Sequence, residues 1–145
     1  MKITLSGSIA FIKEMQEIKQ KLEKLGHSIK MPEKAFKLDS GELVTEKKYL
    51  EIMDNEDNFK KFKNKIMLDF YEEKIKWCDA VLVINPEKNG QEGYIGANTF
   101  LEMGGAFFLN KKIFILNDFG KNKYKEEIDA MYPVIINNDL EKIKL

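Results

Sequence analysis

Two hydrophobic periods alternate along this chain. Lys2 to Ser6 switches between apolar and polar residues and stops at Ser6-Gly7-Ser8, which predicts a strand and a tight loop. Phe11, Met15, Ile18, Leu22 and Leu25 then recur at helical spacing, and Gly26 stands where a helix commonly ends. Ser28 to Met31 is a short second strand closed by Pro32. Residues 33–55 are polar and weakly patterned, and predict a loop followed by a helix from about Gly41 to Met53. A longer helix is expected from about Glu56 to Trp77, with Phe59, Phe62, Ile66, Phe70 and Trp77 on one side. Ala80 to Ile84 is an unbroken apolar run, as in a parallel strand buried on both faces. A glycine-rich loop and a helix from about Thr99 to Leu109 follow. The remaining pattern predicts a strand at Ile113 to Leu116, a short helix at Tyr124 to Met131, a strand at Val134 to Ile136 and a short terminal helix from Asp139.

Strands that alternate with helices indicate a parallel sheet covered on both faces. The expected fold is α/β: a single-domain, Rossmann-like or flavodoxin-like three-layer sandwich with a five-stranded parallel sheet. A helical insert follows the second strand. The 145 residues suit one domain with one core, so residues 1–145 are read as a single unit.

Composition narrows the function. Charged residues make up 33% and formal net charge is zero, so nothing recommends nucleic acid as a partner. No apolar run approaches the ~20 residues that span a bilayer, and no membrane partner is expected. The start of the chain runs directly into a strand and shows no signal peptide. With one cysteine, Cys78, no intrachain disulfide is possible, and a cytoplasmic location is the default expectation. Every cationic residue is a lysine. Without arginine's bidentate clamp, a bound phosphate must rely on backbone N–H groups, hydroxyls or lysine.

Ligands of parallel sheets bind outside the carboxyl ends of the strands, at the switch point between the first and third. Here those ends are Ser6-Gly7-Ser8, the loop from Asn85 to Gly96, and Asn117 to Lys123. Several well-known sites are missing from them. There is no Walker A pattern, and Gly90, Gly93 and Gly96 do not form a dinucleotide fingerprint. His27 and Cys78 are single, which argues against zinc clusters and Cys/His nucleophilic pairs, and no metal or cofactor is expected. Asn85 stands where a phosphoacceptor domain needs aspartate.

Glu102 remains, set in the segment Gly93 to Ala106 among glycines and apolar side chains. It has two readings. Thr99-Phe-Leu-Glu102 has the spacing of a capping box, with the carboxylate reaching back to the Thr99 N–H. In that first turn the helix dipole favours the ionised form, which is also what a nucleophile needs. Gly105 and Ala106 lie on the same helical face as Glu102 and let a ligand or another backbone approach it. Close helix packing explains them equally.

The Ser6-Gly7-Ser8-Ile9 strand end, Asp79 before Val-Leu-Val-Ile, and Glu102-x-Gly104-x-Ala106 before Lys-Lys-Ile-Phe-Ile-Leu carry a likeness. In these elements the chain resembles the nucleoside 2-deoxyribosyltransferase superfamily, which includes deoxynucleoside monophosphate N-glycosidases. The likeness covers residues 2–31 and 73–118. It implies that Glu102 attacks the anomeric carbon of a nucleoside or nucleoside 5′-monophosphate and displaces the base, by hydrolysis or by transfer. It implies Asp79 as an auxiliary acid, and Ser6, Gly7 and Ser8 as contacts to the sugar or phosphate; Asn98, as a partner for a sugar hydroxyl, and Asn117, at the end of the fourth strand, are further candidate substrate contacts read from their positions. It also implies a homodimer or higher homo-oligomer, consistent with the paired Phe107 and Phe108. The chain departs from the family at Thr4, where an orienting tyrosine is common, at Gly96, where an acid is common, and at Asn98, where glycine is common. These departures keep a second reading open: a non-catalytic nucleotide-binding or sensing module of the same fold.

Overall fold

The computed structural model describes residues 1–33 and 46–144. Its framework is a five-stranded, all-parallel sheet of order β2-β1-β3-β4-β5. The strands are β1 (Lys2–Ser6), β2 (Ser28–Lys30), β3 (Ala80–Val83), β4 (Lys112–Ile115) and β5 (Val134–Ile135). The helices are α1 (Ile12–Lys24), α2 (Glu46–Met53), α3 (Glu56–Phe70), α4 (Ala97–Phe108) and α5 (Lys125–Ala130). The expected α/β three-layer architecture is therefore present, with α2 and α3 between β2 and β3. The part of the second predicted helix from Gly41 to Thr45 lies outside the described residues. No described helix is long and apolar enough to cross a membrane.

Alternation along the strands builds two separate cores. Ile3, Leu5, Leu82, Ile84 and Phe114 point to one face, where Phe11, Met15, Ile18 and Leu22 cover them. Val81, Val83, Ile113 and Ile115 point to the other face, under Phe70, Ile75, Met103, Ala106 and Ile128. Each fully buried Leu or Ile contributes about 1.5–3 kcal/mol through removal from water. Phe11 is thus a core residue, in edge-to-face contact with Tyr94 at 6.4 Å between ring centres. Helix α1 ends as its glycine predicts. Gly26 adopts φ +87°, the Gly26 N–H donates to the Glu23 carbonyl, and the His27 N–H reaches the Leu22 carbonyl.

The long helix expected from Glu56 to Trp77 is not uniform. After α3 it widens into one π turn, Tyr71–Ile75, in which the Lys76 N–H donates to the Tyr71 carbonyl at 3.0 Å. The Thr4 hydroxyl bonds the Lys74 carbonyl at 2.9 Å and so fastens this turn to β1. The predicted terminal helix is a single 3-10 turn, Leu140–Lys142, capped by Asp139.

Two glycines are required by close backbone approach at the carboxyl edge of the sheet. A Cβ on Gly7 would lie 2.6 Å from the Ile84 carbonyl oxygen. A Cβ on Gly93, where φ is +63°, would lie 2.0 Å from the Asp118 carbonyl oxygen. These contacts hold the loops after β1, β3 and β4 side by side.

Candidate active site

The site begins with an anomaly in β1. Within the sheet's buried middle, its neighbour β3 reads Ala80-Val-Leu-Val83 without a polar residue. Strand β1 alternates Ile3 and Leu5 on the α1 face with Thr4 and Ser6 on the opposite face, and all four are fully buried. A buried hydroxyl needs a partner. Thr4 finds the Lys74 carbonyl, and Ser6 Oγ donates to Glu102 Oε2.

Glu102 is not a cap. Helix α4 begins at Ala97 with Gly96 as its N-cap, because the Phe100 N–H already bonds the Gly96 carbonyl at 2.9 Å. Thr99 is buried within the first turn, and Glu102 lies in the second. The capping-box expectation is thereby corrected: the box has its sequence spacing, but the helix starts before it. Gly105 has the ordinary explanation, since a Cβ there would lie 3.3 Å from the Tyr71 ring. It lets α4 pack closely on the π turn.

The ionised state expected from the helix dipole is also corrected. Burial of the Glu102 carboxyl pushes its pKa up to about 7, although part of the residue remains open to solvent. The Ser6 hydroxyl, Lys74 and Lys63 oppose that rise without cancelling it. Desolvation wins because the dipole is strongest within the first turn, which Glu102 has left. Lys74 is itself well covered: its side chain is 11% exposed, with Nζ 5.2 Å above the Phe70 ring and 3.8 Å from Glu33 Oε1.

The remaining residues singled out by sequence divide between two edges. Asn98 precedes Glu102 by one helical turn, so both share a face of α4, with Asn98 exposed at the rim. Ser8 caps the short turn Ile9–Phe11 and also accepts from Lys88 Nζ at 3.0 Å. Asn117 ties the strand ends together. Its N–H and carbonyl exchange bonds with the buried Asn85 amide at 2.9 Å each, and its side-chain oxygen accepts from Asn138. Asp79 is elsewhere. It is exposed just before β3, and its carboxylate accepts the Lys2 N–H at 2.8 Å at the amino edge of the sheet. A four-residue strand separates it from the edge where Ser6 meets Glu102, a length of about 13 Å.

Lys74, Lys63 and Lys88 were not singled out by the sequence. Lys88 had a local signal, because Asn89-Gly90 forms a tight turn with both φ positive and joins Lys88 to Gln91. Lys74 had none, because its place depends on the π turn. A groove of about 500 Å³ beside the end of β2 is lined by Met31, Glu33 and Lys74 among others. It shares Lys74 with the surroundings of Glu102 but is not lined by Glu102 itself.

With this geometry in place, the likeness to known proteins is limited and specific. No family model and no curated protein matches the chain. Among the solved structures that match is the CMP N-glycosidase BcmB of Clostridium botulinum. The match has a TM-score of 0.52 at 16% identity, and covers 94% of this chain and 90% of that one. At this identity the likeness is one of fold, and it extends over nearly the whole of both chains.

Proposed function

We propose that the chain cleaves the N-glycosidic bond of a nucleoside or nucleoside 5′-monophosphate, with Glu102 as nucleophile. The observation that carries this reading is the orientation of Glu102. Its carboxyl accepts from Ser6 at the end of β1 and not from a helix-terminal N–H, at the edge where parallel sheets bind ligands. The fold shared with a CMP N-glycosidase supports the same reading. In the step envisaged, an ionised Glu102 oxygen bonds to the anomeric carbon while the C–N bonding pair leaves with the base. Water then attacks the anomeric carbon, the ester oxygen returns to Glu102 with its bonding pair as carboxylate, and the proton that the water loses ends on the departed base. A second base in place of water gives transfer instead of hydrolysis.

Asp79 has no part in this scheme, since a proton donor must come within hydrogen-bond reach of the departing base. Ser8 and Lys88 are assigned to a 5′-phosphate, as the hydroxyl and cation nearest the β1 loop in a chain without arginine. Asn98 is assigned to a sugar hydroxyl from the rim of the same face as Glu102. The test is to incubate the protein with nucleosides, deoxynucleosides and their 5′-monophosphates and to follow free base. Release is expected from the wild type and not from Glu102→Ala, and undiminished release by that variant overturns the assignment.

One observation favours the second reading, a nucleotide-binding module without turnover. Burial pushes the Glu102 pKa up to about 7, which favours the protonated form, and a carboxylic acid is a poor nucleophile. Under that reading, nucleotides raise the melting temperature and no base appears. For assembly we propose a homodimer through the outer face of α4. Ala97, Leu101, Gly104 and Phe108 follow a 4-3-4 spacing there. Leu101 is 55% and Phe108 81% exposed, and a Cβ on Gly104 would meet open space. Phe108→Lys is expected to convert a dimer to a monomer in sedimentation equilibrium.

A further inference from the structure

Ser6 was expected among the substrate contacts. Its complete burial makes that role unavailable. Its side chain lies on the face of β1 that looks at α4, between Thr4 below and the loop above, and among the described residues its hydroxyl has one partner, a single oxygen of Glu102. Taking Glu102 as the nucleophile, we infer that Ser6 is a positioning residue, which grips Oε2 of Glu102 and leaves Oε1 as the attacking oxygen. Three structural features support this. The bond joins the rigid centre of the sheet to a helix, so it fixes the carboxyl against rotation about its last torsion. Oε1 has no hydrogen bond among the described residues, while Oε2 is engaged. Thr4, the other polar residue on this face, is occupied by the Lys74 carbonyl and cannot substitute.

The bond also biases the proton. A hydroxyl that donates to a carboxylate favours the charged form, so Ser6 works against the burial that protonates Glu102. The other groups facing the carboxyl are few. Lys74 comes from the π turn, with Glu33 competing for it, and Lys63 comes from α3, while the Tyr71 ring of the π turn packs at Gly105. The sheet beneath α4 contributes Val81, Val83, Ile113 and Ile115, and Cys78 bonds the Ile75 carbonyl. Among the described residues, therefore, two lysines and one hydroxyl hold the nucleophile near its working state. Ser6 is the only one of the three in direct contact.

The sign of the effect follows. Loss of the hydroxyl makes protonation easier, so the acid limb of the kcat/KM profile moves to higher pH. The experiment compares wild type, Ser6→Ala and Ser6→Thr in two ways: the pH profile of base release, and the NMR titration of the Glu102 side-chain carboxyl carbon, assigned with Glu102→Gln. In Ser6→Ala both midpoints are expected to rise by about one pH unit, so that activity at pH 6 falls about tenfold relative to wild type while KM changes little. At pH 9 most of the loss is expected to disappear, and Ser6→Thr is expected to restore the wild-type midpoints. If Ser6→Ala does not fold, Ser6→Cys, a weaker donor, is expected to shift both midpoints the same way. Superimposable midpoints in wild type and the variant overturn the Ser6 assignment, as does a pH-independent loss with raised KM, which would mark a substrate contact. Absence of base release by the wild type overturns the catalytic reading itself, whatever the titration does.

Discussion

The two faces of β1 carry different kinds of order. On one, Ile3 and Leu5 join a core of aliphatic and aromatic side chains under α1, and burial accounts for every residue. On the other, Thr4 and Ser6 spend their hydroxyls on the Lys74 carbonyl and on Glu102, beneath α4. A strand needs only one of these solutions to fold. The polar one exposes the protein to the cost of an unpaired buried group whenever a partner is lost. It is therefore the face on which function is the better explanation.

The largest contrast should come from substitutions that affect one face's stability and the other's chemistry. Glu102→Gln is expected to reduce base release by on the order of 10³-fold or more, as removal of a catalytic group does. Leu5→Ala, two strand positions from Thr4's neighbour Ile3 on the dry face, should instead cost about 2–5 kcal/mol in denaturant unfolding and spare kcat in the molecules that remain folded. Equal stability loss for the two would remove the distinction between the faces.

A pH experiment sharpens the same comparison. The Glu102 pKa rises on folding from 4.5 to about 7, so between these values the folded state binds more protons than the unfolded state. Stability contributed by the neutral acid is therefore present below pH 4.5 and is lost as pH rises through 7. The loss amounts to about 3 kcal/mol at most. Glu102→Gln, which cannot ionise, is expected to gain stability relative to wild type between pH 5 and pH 8, in urea melts at matched ionic strength. A constant difference across that range would mean that burial does not govern this carboxyl. Smaller still, Thr4→Val should cost about 1 kcal/mol, because the Lys74 carbonyl keeps a second donor in the Cys78 N–H at 3.2 Å.

Much of the fold was legible because period and punctuation agree. The run Ala80 to Ile84, the glycine after Leu25 and the Ser6-Gly7-Ser8 break all mark real boundaries. The errors cluster where tertiary contacts override local spacing. Thr99 and Glu102 have capping-box separation, yet Gly96 starts the helix before them, and Gly93 fixes the approach of that loop by its contact with Asp118. The π turn at Tyr71–Ile75 has no sequence signature, so neither Lys74 nor the role of Gly105 could be read in advance. Asp79 is different. It immediately precedes a parallel strand, and the rule that sends Glu102 to the carboxyl edge sends Asp79 to the amino edge. The polar positions Thr4 and Ser6 within a buried strand were the available signal for the site, and alternation alone does not tell a solvated face from a polar core.

The carboxyl that Ser6 holds is expected to be the one that breaks the bond. The most direct measurement is the rate of base release from nucleoside 5′-monophosphates at pH 8 by wild type and Glu102→Gln, beside nucleotide affinity by calorimetry. The expected result is release by the wild type, a fall of about 10³-fold or more in the variant, and affinities within about threefold of each other. Release that is unchanged in Glu102→Gln would contradict it.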